Sequence, residues 1–535
     1  MIVNSMLERL ETVFGRLNEK TVLALIILGA LALRVARALL TSVVNSDAAV
    51  YLYQAKALYY GMWSAVNGCT IKQLTAHPIL SACIYFLTRD WILSMRTVSI
   101  LFGTLTLIPI FGLARLFFSF RTSCIVTLLY AVMHVFVSVS VDVGRDTAYW
   151  FFAAGGLYFF ASGMKRNRMG ELSLASIAFV LAAWNRIEGI LYFVVTALFL
   201  LFVKKAGKGR SLLFYFSPVL LGLAAFMAFH LMLAPEISAF RLKAVPEKML
   251  YAVDAYRGLR ASLSGFIRTP PAGIPFEFFE NVRTLLWLLG LGVVLENAAE
   301  AFFYPFFALF LAGLAGARRR LRSDGLALYF LLLCLAGFAL LYVYVFTNWS
   351  MENRYLALVI LPAFLFLGTG VDMCRSWLQQ KSRLGEARIA ALLVLLILIL
   401  ALPKQLHRHE ADKGVFREIG QFIAAREDLT KPVNVLTLGT AARWISLYSN
   451  LDVPGIVCPD EDMLAGISPA RIVGSSYADF MKTVDARRVR YVLWEERHWP
   501  SPQFNLPEHY SPVDFRIVGE WNHRDTGRML LFQRR

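Results

Sequence analysis

The stretch "NSDAAVYLYQAKALYYG", Asn45 to Gly61, puts a carboxylate, Asp47, directly after the first long apolar segment of the chain. Other acids stand at the ends of later apolar segments: Asp142 and Asp146 in "DVGRD", Glu188 in "NRIEG", and Glu352 in "TNWSMENRY". Arginines accompany them, with Arg145 beside Asp146 and Arg354 two residues after Glu352. A positioned carboxylate can take the proton of an attacking hydroxyl, and an arginine can hold an anionic group through charge-assisted hydrogen bonds. The plainer readings are that Asp47 caps the helix that follows it and that the others are ordinary loop charges. Acids next to arginines at the ends of membrane spans often mark a substrate path. The elements that carry them decide what they can reach.

Of the 535 residues, 58% are hydrophobic and 17% charged, and the mean hydropathy is +0.56. That is more apolar surface than a soluble core of this size buries, so the chain reads as a polytopic α-helical membrane protein. Its formal charge of +17 falls in short basic clusters between apolar runs, where the positive-inside rule puts it. The charge therefore reports topology, and nucleic acid is not an expected partner. The six cysteines, Cys69, Cys83, Cys124, Cys334, Cys374 and Cys458, show no paired metal-ligand spacing, so no disulfide or zinc framework follows from them and their pairing is left open.

Spans of sufficient length are expected at about 21–44, 91–114, 122–141, 147–163, two short ones joined at 185–189, then 211–234, 300–317, 325–347, 354–371 and 389–403. That makes about 11 transmembrane helices, with clusters such as "KRNR", "KKAGKGR" and "RRRLR" inside. An odd number of crossings leaves the termini on opposite sides. Residues 1–20 form a cytoplasmic N-terminus, and 21–403 the membrane domain. Asp47, Asp142, Asp146, Glu188, Glu352 and Arg354 then all fall on the non-cytoplasmic face, where one cavity can collect them.

The long connections, 45–90 and 235–299, lie on that same face. In the first, Asp47, Tyr51, Gln54 and Leu58 share one helical face at spacings of four, three and four. In the second, "NVRTLLWLLGLGVVLENA" is an apolar helix that either spans or lies in the interface, and "RRRLR" downstream favours the interface. From 404 to 535 the pattern changes to a small extracytoplasmic α/β domain: strands in "KPVNVLTLGT" and "VRYVLWEERHW", a helix in "FREIGQFIAARED", and a terminal hairpin in "EWNHRDTGRMLLFQRR".

With these residues in view the chain resembles the GT-C glycosyltransferases, and within them family 39, the protein O-mannosyltransferase and aminoarabinose transferase type. The resemblance rests on "DAAVYLYQA" after the first span, an "HP" at His77-Pro78, "MRTVSILFGTLTLIPIFGLARLFF", an "RD" at Arg145-Asp146 and "NRYLALVILP" near the end, in order over about residues 20–370. Ala48 departs from the family, which usually has Glu after the Asp. The resemblance implies transfer of a sugar from a polyprenyl-phosphate donor to a lipid, glycan or protein acceptor, with inversion, outside the cytoplasm. It also implies that Asp47 is the general base and Asp146 a second catalytic acid that Arg145 tunes. Arg354 and Tyr355 are matched to the donor phosphate, and His77 is a candidate contact to phosphate or acceptor with loop packing as its alternative. Tyr51, Asp142 and Glu188 are cavity candidates, Glu188 having an ion pair with Arg186 as its plainer role. Arg34 and Arg37, inside the first span, are expected to face protein or to snorkel outward.

No cofactor is required by this chemistry. A divalent metal is compatible with Asp47 and Asp146, but arginines alone can hold a phosphate leaving group. The expected location is a bacterial inner (plasma) membrane. Two rival readings remain: a transporter or flippase, since charges near membrane surfaces serve substrate paths too, and a ligase of lipid-linked glycans. A transporter would be expected to show internal repeats and broken helices in matching halves, and the sequence suggests neither.

Overall fold

The computed structural model describes residues 18–66, 68–69, 74–202, 207–233, 244–382, 384–428, 430–437, 441–456, 458, 469–501 and 504–535. The chain divides into two compact units. The first comprises 18–33, Phe102–Val139 and Asp146–Gln405, and the second Arg34–Leu101, Ser140–Arg145 and Leu406–Arg535. The second unit therefore joins the expected outer domain to the first long connection, which the sequence grouped with the spans.

Helices overlap each expected span, and among the described residues five of them, or seven if each bent pair is one span, are long and apolar enough to cross a membrane. Glu19–Leu40, Trp91–Arg115, Phe276–Phe302, Gly325–Thr347 and Glu386–Gln405 are each long and apolar enough to cross a membrane. Two further pairs pass together but are bent, Phe120–Val132 with His134–Val141 at 48° and Asn353–Ile360 with Phe364–Lys381 at 75°. Ala76–Thr88, Met169–Asn185, Ile187–Phe202 and Tyr304–Gly316 are shorter apolar helices, and Asp146–Arg166 and Lys208–Leu233 complete the expected set. The 27-residue helix Phe276–Phe302, left between span and interface by the sequence, has a span's length and composition.

Local chemistry fixes these ends. Asn18 Oδ1 accepts the Thr21 amide at 2.8 Å, and Asp324 Oδ1 accepts that of Leu326 at 2.9 Å, each satisfying an orphan donor of a first turn. The 75° bend falls at Leu361-Pro362-Ala363, where proline cannot donate to the helix ladder. In an apolar medium the carbonyls around such a break need donors. Tyr130 Oη supplies Ile360 and Leu361, and Tyr192 Oη supplies Leu358 at 2.8 Å. At the 48° bend Gln405 Nε2 donates to Val132 O at 3.0 Å. Helices Tyr304–Gly316 and Phe364–Lys381 meet backbone to backbone: a Cβ on Gly313 would come within 1.8 Å of Phe366 O, so only glycine permits the approach.

In the second unit a four-stranded sheet has the order β1-β2-β4-β3. Here β1 is Val435–Leu436, β2 Tyr491–Glu495, β3 Phe515–His523 and β4 Gly527–Arg534. β1 runs parallel to β2, and the other pairs are antiparallel. Strand period sends Tyr491, Leu493, Met529 and Leu531 into one core with Phe416, Trp444 and Ile445, and Val492, Trp494, Leu530 and Phe532 into another with Phe480 and Val484. The first of these cores continues into Val43, Val44, Ala48 and Tyr51. Helix Ala48–Tyr59 is buried over residues 48–57, not on one face alone. Cys69 and Cys458, 389 residues apart, form a disulfide, a pairing the sequence left open. No short spacing could signal it, because it links the first connection to the far end of the chain.

Candidate functional site

In the first unit, Asp146 opens helix Asp146–Arg166 with its side chain 2% exposed. One carboxylate oxygen pairs with Arg186 Nη1 and the other lies 3.8 Å from Arg354 Nη1. Arg186 sits where helix Met169–Asn185 ends in an extended residue, and its Nε reaches Glu188 Oε2 at 3.4 Å. Burial opposes the Arg186 charge, but the carboxylates of Asp146 and Glu188 outweigh it and raise its pKa above the ordinary arginine value. Arg354 also donates to exposed Glu352, Nη2 to Oε1 at 3.0 Å. The Tyr355 ring lies under both guanidiniums, 4.4 Å from Arg186 and 5.9 Å from Arg354, while its hydroxyl accepts from Tyr344 Oη at 3.2 Å. Next to this cluster is a cavity of ≈ 70 Å³. Glu188, Tyr344 and Tyr355 line one part of it, and Ile190, Leu340, Leu341 and Val343 make the rest apolar.

In the second unit, Asp47 occupies the N-cap position of helix Ala48–Tyr59 but makes no side-chain cap bond. Its carboxylate instead accepts from Arg443 Nη1 at 2.7 Å, with 23% of the Asp47 side chain exposed. The geometry thus separates the two readings of Asp47: the position is a cap and the side chain is turned elsewhere. Arg443 belongs to helix Ala441–Ser449, which is fastened to the strip before Asp47 through Trp444 Nε1 to Val44 O at 2.7 Å. The same strip is also held by helix Gly414–Ala424, whose Arg417 Nη1 donates to Ser42 O at 2.7 Å. At the other end of helix Ala48–Tyr59, Lys56 is buried and donates to Asn450 O and Val453 O, both at 2.6 Å. Burial pushes the Lys56 ammonium down to about 8, with Asp452 acting in the opposite direction.

The remaining candidates have definite places. His77 is fully buried, with Nε2 3.2 Å from Met95 O and 3.1 Å from Ser99 Oγ, and its ring 5.5 Å from that of Tyr51. These contacts match its packing alternative, and Tyr51 is likewise core at 2% exposure. Asp142 is half-buried and acts electrostatically on Arg37 and Arg96. Glu188 has the expected ion pair with Arg186. Arg34 and Arg37 are buried, so they face protein. Arg145 is half-buried and falls in the second unit, whereas Asp146 falls in the first. Among the described residues only Asp412, His523 and Asp525 group as three metal-ligand types, and Asp47 has no such companions. Arg186 as a partner of Asp146 was missed, although its place in "NRIEG" between two spans was a usable signal. Arg443 gave no signal, since it lies in the outer domain.

Long and bent apolar helices followed by a small four-stranded sheet are an architecture shared with the GT-C fold. Comparison with known proteins agrees with the resemblance read from the sequence. The family model for dolichyl-phosphate-mannose-protein mannosyltransferase matches residues 76–231. ArnT from Cupriavidus metallidurans, solved in the apo state, superposes with a TM-score of 0.59 at 15% identity, covering 95% of this chain and 97% of that one. The same figures hold for ArnT bound to undecaprenyl phosphate. The oligosaccharyltransferase AglB from Archaeoglobus fulgidus, in complex with an inhibitory peptide and a dolichol-phosphate, gives a TM-score of 0.56 at 12% identity, over 90% of this chain and 70% of that one. No curated protein matches in sequence.

Proposed function

We propose that the chain is an inverting membrane glycosyltransferase that moves a sugar from a polyprenyl-phosphate donor to a lipid, glycan or protein acceptor on the extracytoplasmic side. The observation that carries this reading is the pair Arg186 and Arg354, held by Asp146 beside an apolar cavity. An anionic head with an apolar tail fits such a pair. Two arginines against Asp146, Glu188 and Glu352 leave no spare positive charge, so an incoming phosphate has to displace an acid. Glu352, 61% exposed, is the one that can return to water. The acceptor oxygen attacks the anomeric carbon opposite the phosphate, and the carbon–oxygen bond to phosphate breaks. Polyprenyl phosphate leaves with the electron pair, stabilised by Arg354, and Asp47 takes the hydroxyl proton. Arg443 orients that carboxylate.

The disulfide supports the sidedness. Structural disulfides persist in oxidising compartments, and Cys69 and Cys458 must lie on one side of the membrane to be joined. An even number of crossings therefore separates them. The expected about 11 spans minus the first leave ten, which agrees. If Phe276–Phe302 also crosses, one of the others does not. A reporter active only outside the cytoplasm should work when fused after Arg535 and be silent after Arg322, and the opposite pattern would end this topology.

The reaction is tested with membrane fractions given a radiolabelled polyprenyl-phosphate sugar. Label appearing on a lipid, glycan or protein is expected. Donor that crosses the bilayer with its bond intact would make the protein a flippase instead.

A further inference from the structure

At the tip of the β3–β4 hairpin, away from Asp47 in sequence and unused by the transfer chemistry, His523 and Asp525 face Asp412 from the segment leading into helix Gly414–Ala424. One donor atom from each of the three lies within 4.8 Å of the others. The His523 side chain is 7% exposed, its Nε2 has no hydrogen-bond partner among the described residues, and that atom is 4.0 Å from Asp412 Oδ2. A nitrogen and a carboxylate oxygen at that distance are too far apart for a hydrogen bond. They are close to the spacing of two ligands on one metal ion, because donors bound to zinc at about 2.1 Å sit about 3.4 Å apart in a tetrahedral shell. Asp412 is 53% exposed, so its carboxylate is free to close the difference. The His523 ring is held from behind by Phe416, 5.1 Å between centroids.

We propose that Asp412, His523 and Asp525 bind a divalent cation of the zinc type. One imidazole and two carboxylates form a mixed nitrogen and oxygen set, with a fourth position left to water. Coordination through Nε2 needs the imidazole proton on Nδ1. The Asp525 amide now points at Nδ1 from 3.4 Å, and loading exchanges this long contact for the metal bond, so the hairpin turn is the part that adjusts. The ion would tie the hairpin to the segment that leads out of the last span. Phe416 stacks on Trp444 at 5.7 Å with ring planes 4° apart, and Trp444 adjoins Arg443, the partner of Asp47. A bound ion thus stiffens the support of Arg443 without touching substrate. The proposal does not depend on the transferase reading.

The test uses the full chain, purified without a histidine tag, stripped with chelator and dialysed against zinc chloride. Elemental analysis is expected to find one more zinc per chain in the parent than in Asp412→Asn or Asp525→Asn, with affinity more than tenfold weaker in each variant. Zinc should also raise the unfolding temperature of the parent and not that of the variants. Both substitutions alter exposed carboxylates and keep their shape, so folding should survive where His523→Ala could disturb the contact with Phe416. Equal zinc content in parent and variants, or none in the parent, overturns the proposal.

Discussion

Asp146 and Asp47 are the same residue type at similar points in the sequence, each at a span end, yet the two units treat them differently. Asp146 is 2% exposed and touched by Arg186 and Arg354, whereas Asp47 is 23% exposed and pairs with Arg443. A buried carboxylate between two guanidiniums is committed to holding them, since releasing either leaves a charge unpaired in a poor solvent. A carboxylate that water still reaches can offer lone pairs to a substrate hydroxyl. Burial, not residue type, therefore distinguishes the roles proposed for them, positioning for Asp146 and proton transfer for Asp47.

Substitutions can break this contrast, and the largest effect on transfer is expected at Asp47. Asp47→Asn keeps shape and would serve equally as a cap, but the amide cannot take the proton. Turnover should fall by about a hundredfold to ten-thousandfold, with expression and donor binding intact. A folded Asp47→Asn protein that transfers at the parental rate would remove the base from this position. Asp146→Asn should act differently: losing one member of a buried ion-paired set destabilises by about 3–5 kcal/mol. The unfolding temperature and donor KM should therefore change together, and a purely catalytic loss with unchanged melting would erase the distinction between the two acids.

Arg354→Ala should weaken donor use by about 1.5–3 kcal/mol, one charge-assisted hydrogen bond. Arg354→Lys should rescue in part, lacking the planar fork. Unchanged donor KM and turnover in purified Arg354→Ala would discard the phosphate role.

The smallest effect on transfer is expected at Lys56→Met, which touches neither cluster. Lys56 has a folded pKa of about 8 against the ordinary 10.5, so between these values the unfolded chain binds more protons. The burial penalty is then full below about pH 8 and is relieved as pH rises toward 10.5, and this part of the stability increases with pH. Melting curves of the parent across that window, compared with Lys56→Met, should show the rise only in the parent.

Much of this architecture was legible in one dimension. Span positions, the acids at their ends, the terminal hairpin and the helix at Gly414–Ala424 follow from apolar run length, basic flanks and strand period, all local properties of neighbouring residues. Strand β1, Val435–Leu436, falls within the expected stretch "KPVNVLTLGT", whose residues 438–440 lie outside the described residues. The division of the chain was also hidden, since the first connection packs with residues more than three hundred positions away. What only the tertiary structure decided are the pairs that cross such distances: Asp47 with Arg443, 396 residues on, Cys69 with Cys458, Asp146 with Arg186 and Arg354. A carboxylate's chemistry depends on which charges and how much water surround it, and those surroundings come from distant parts of the chain, which no local pattern encodes.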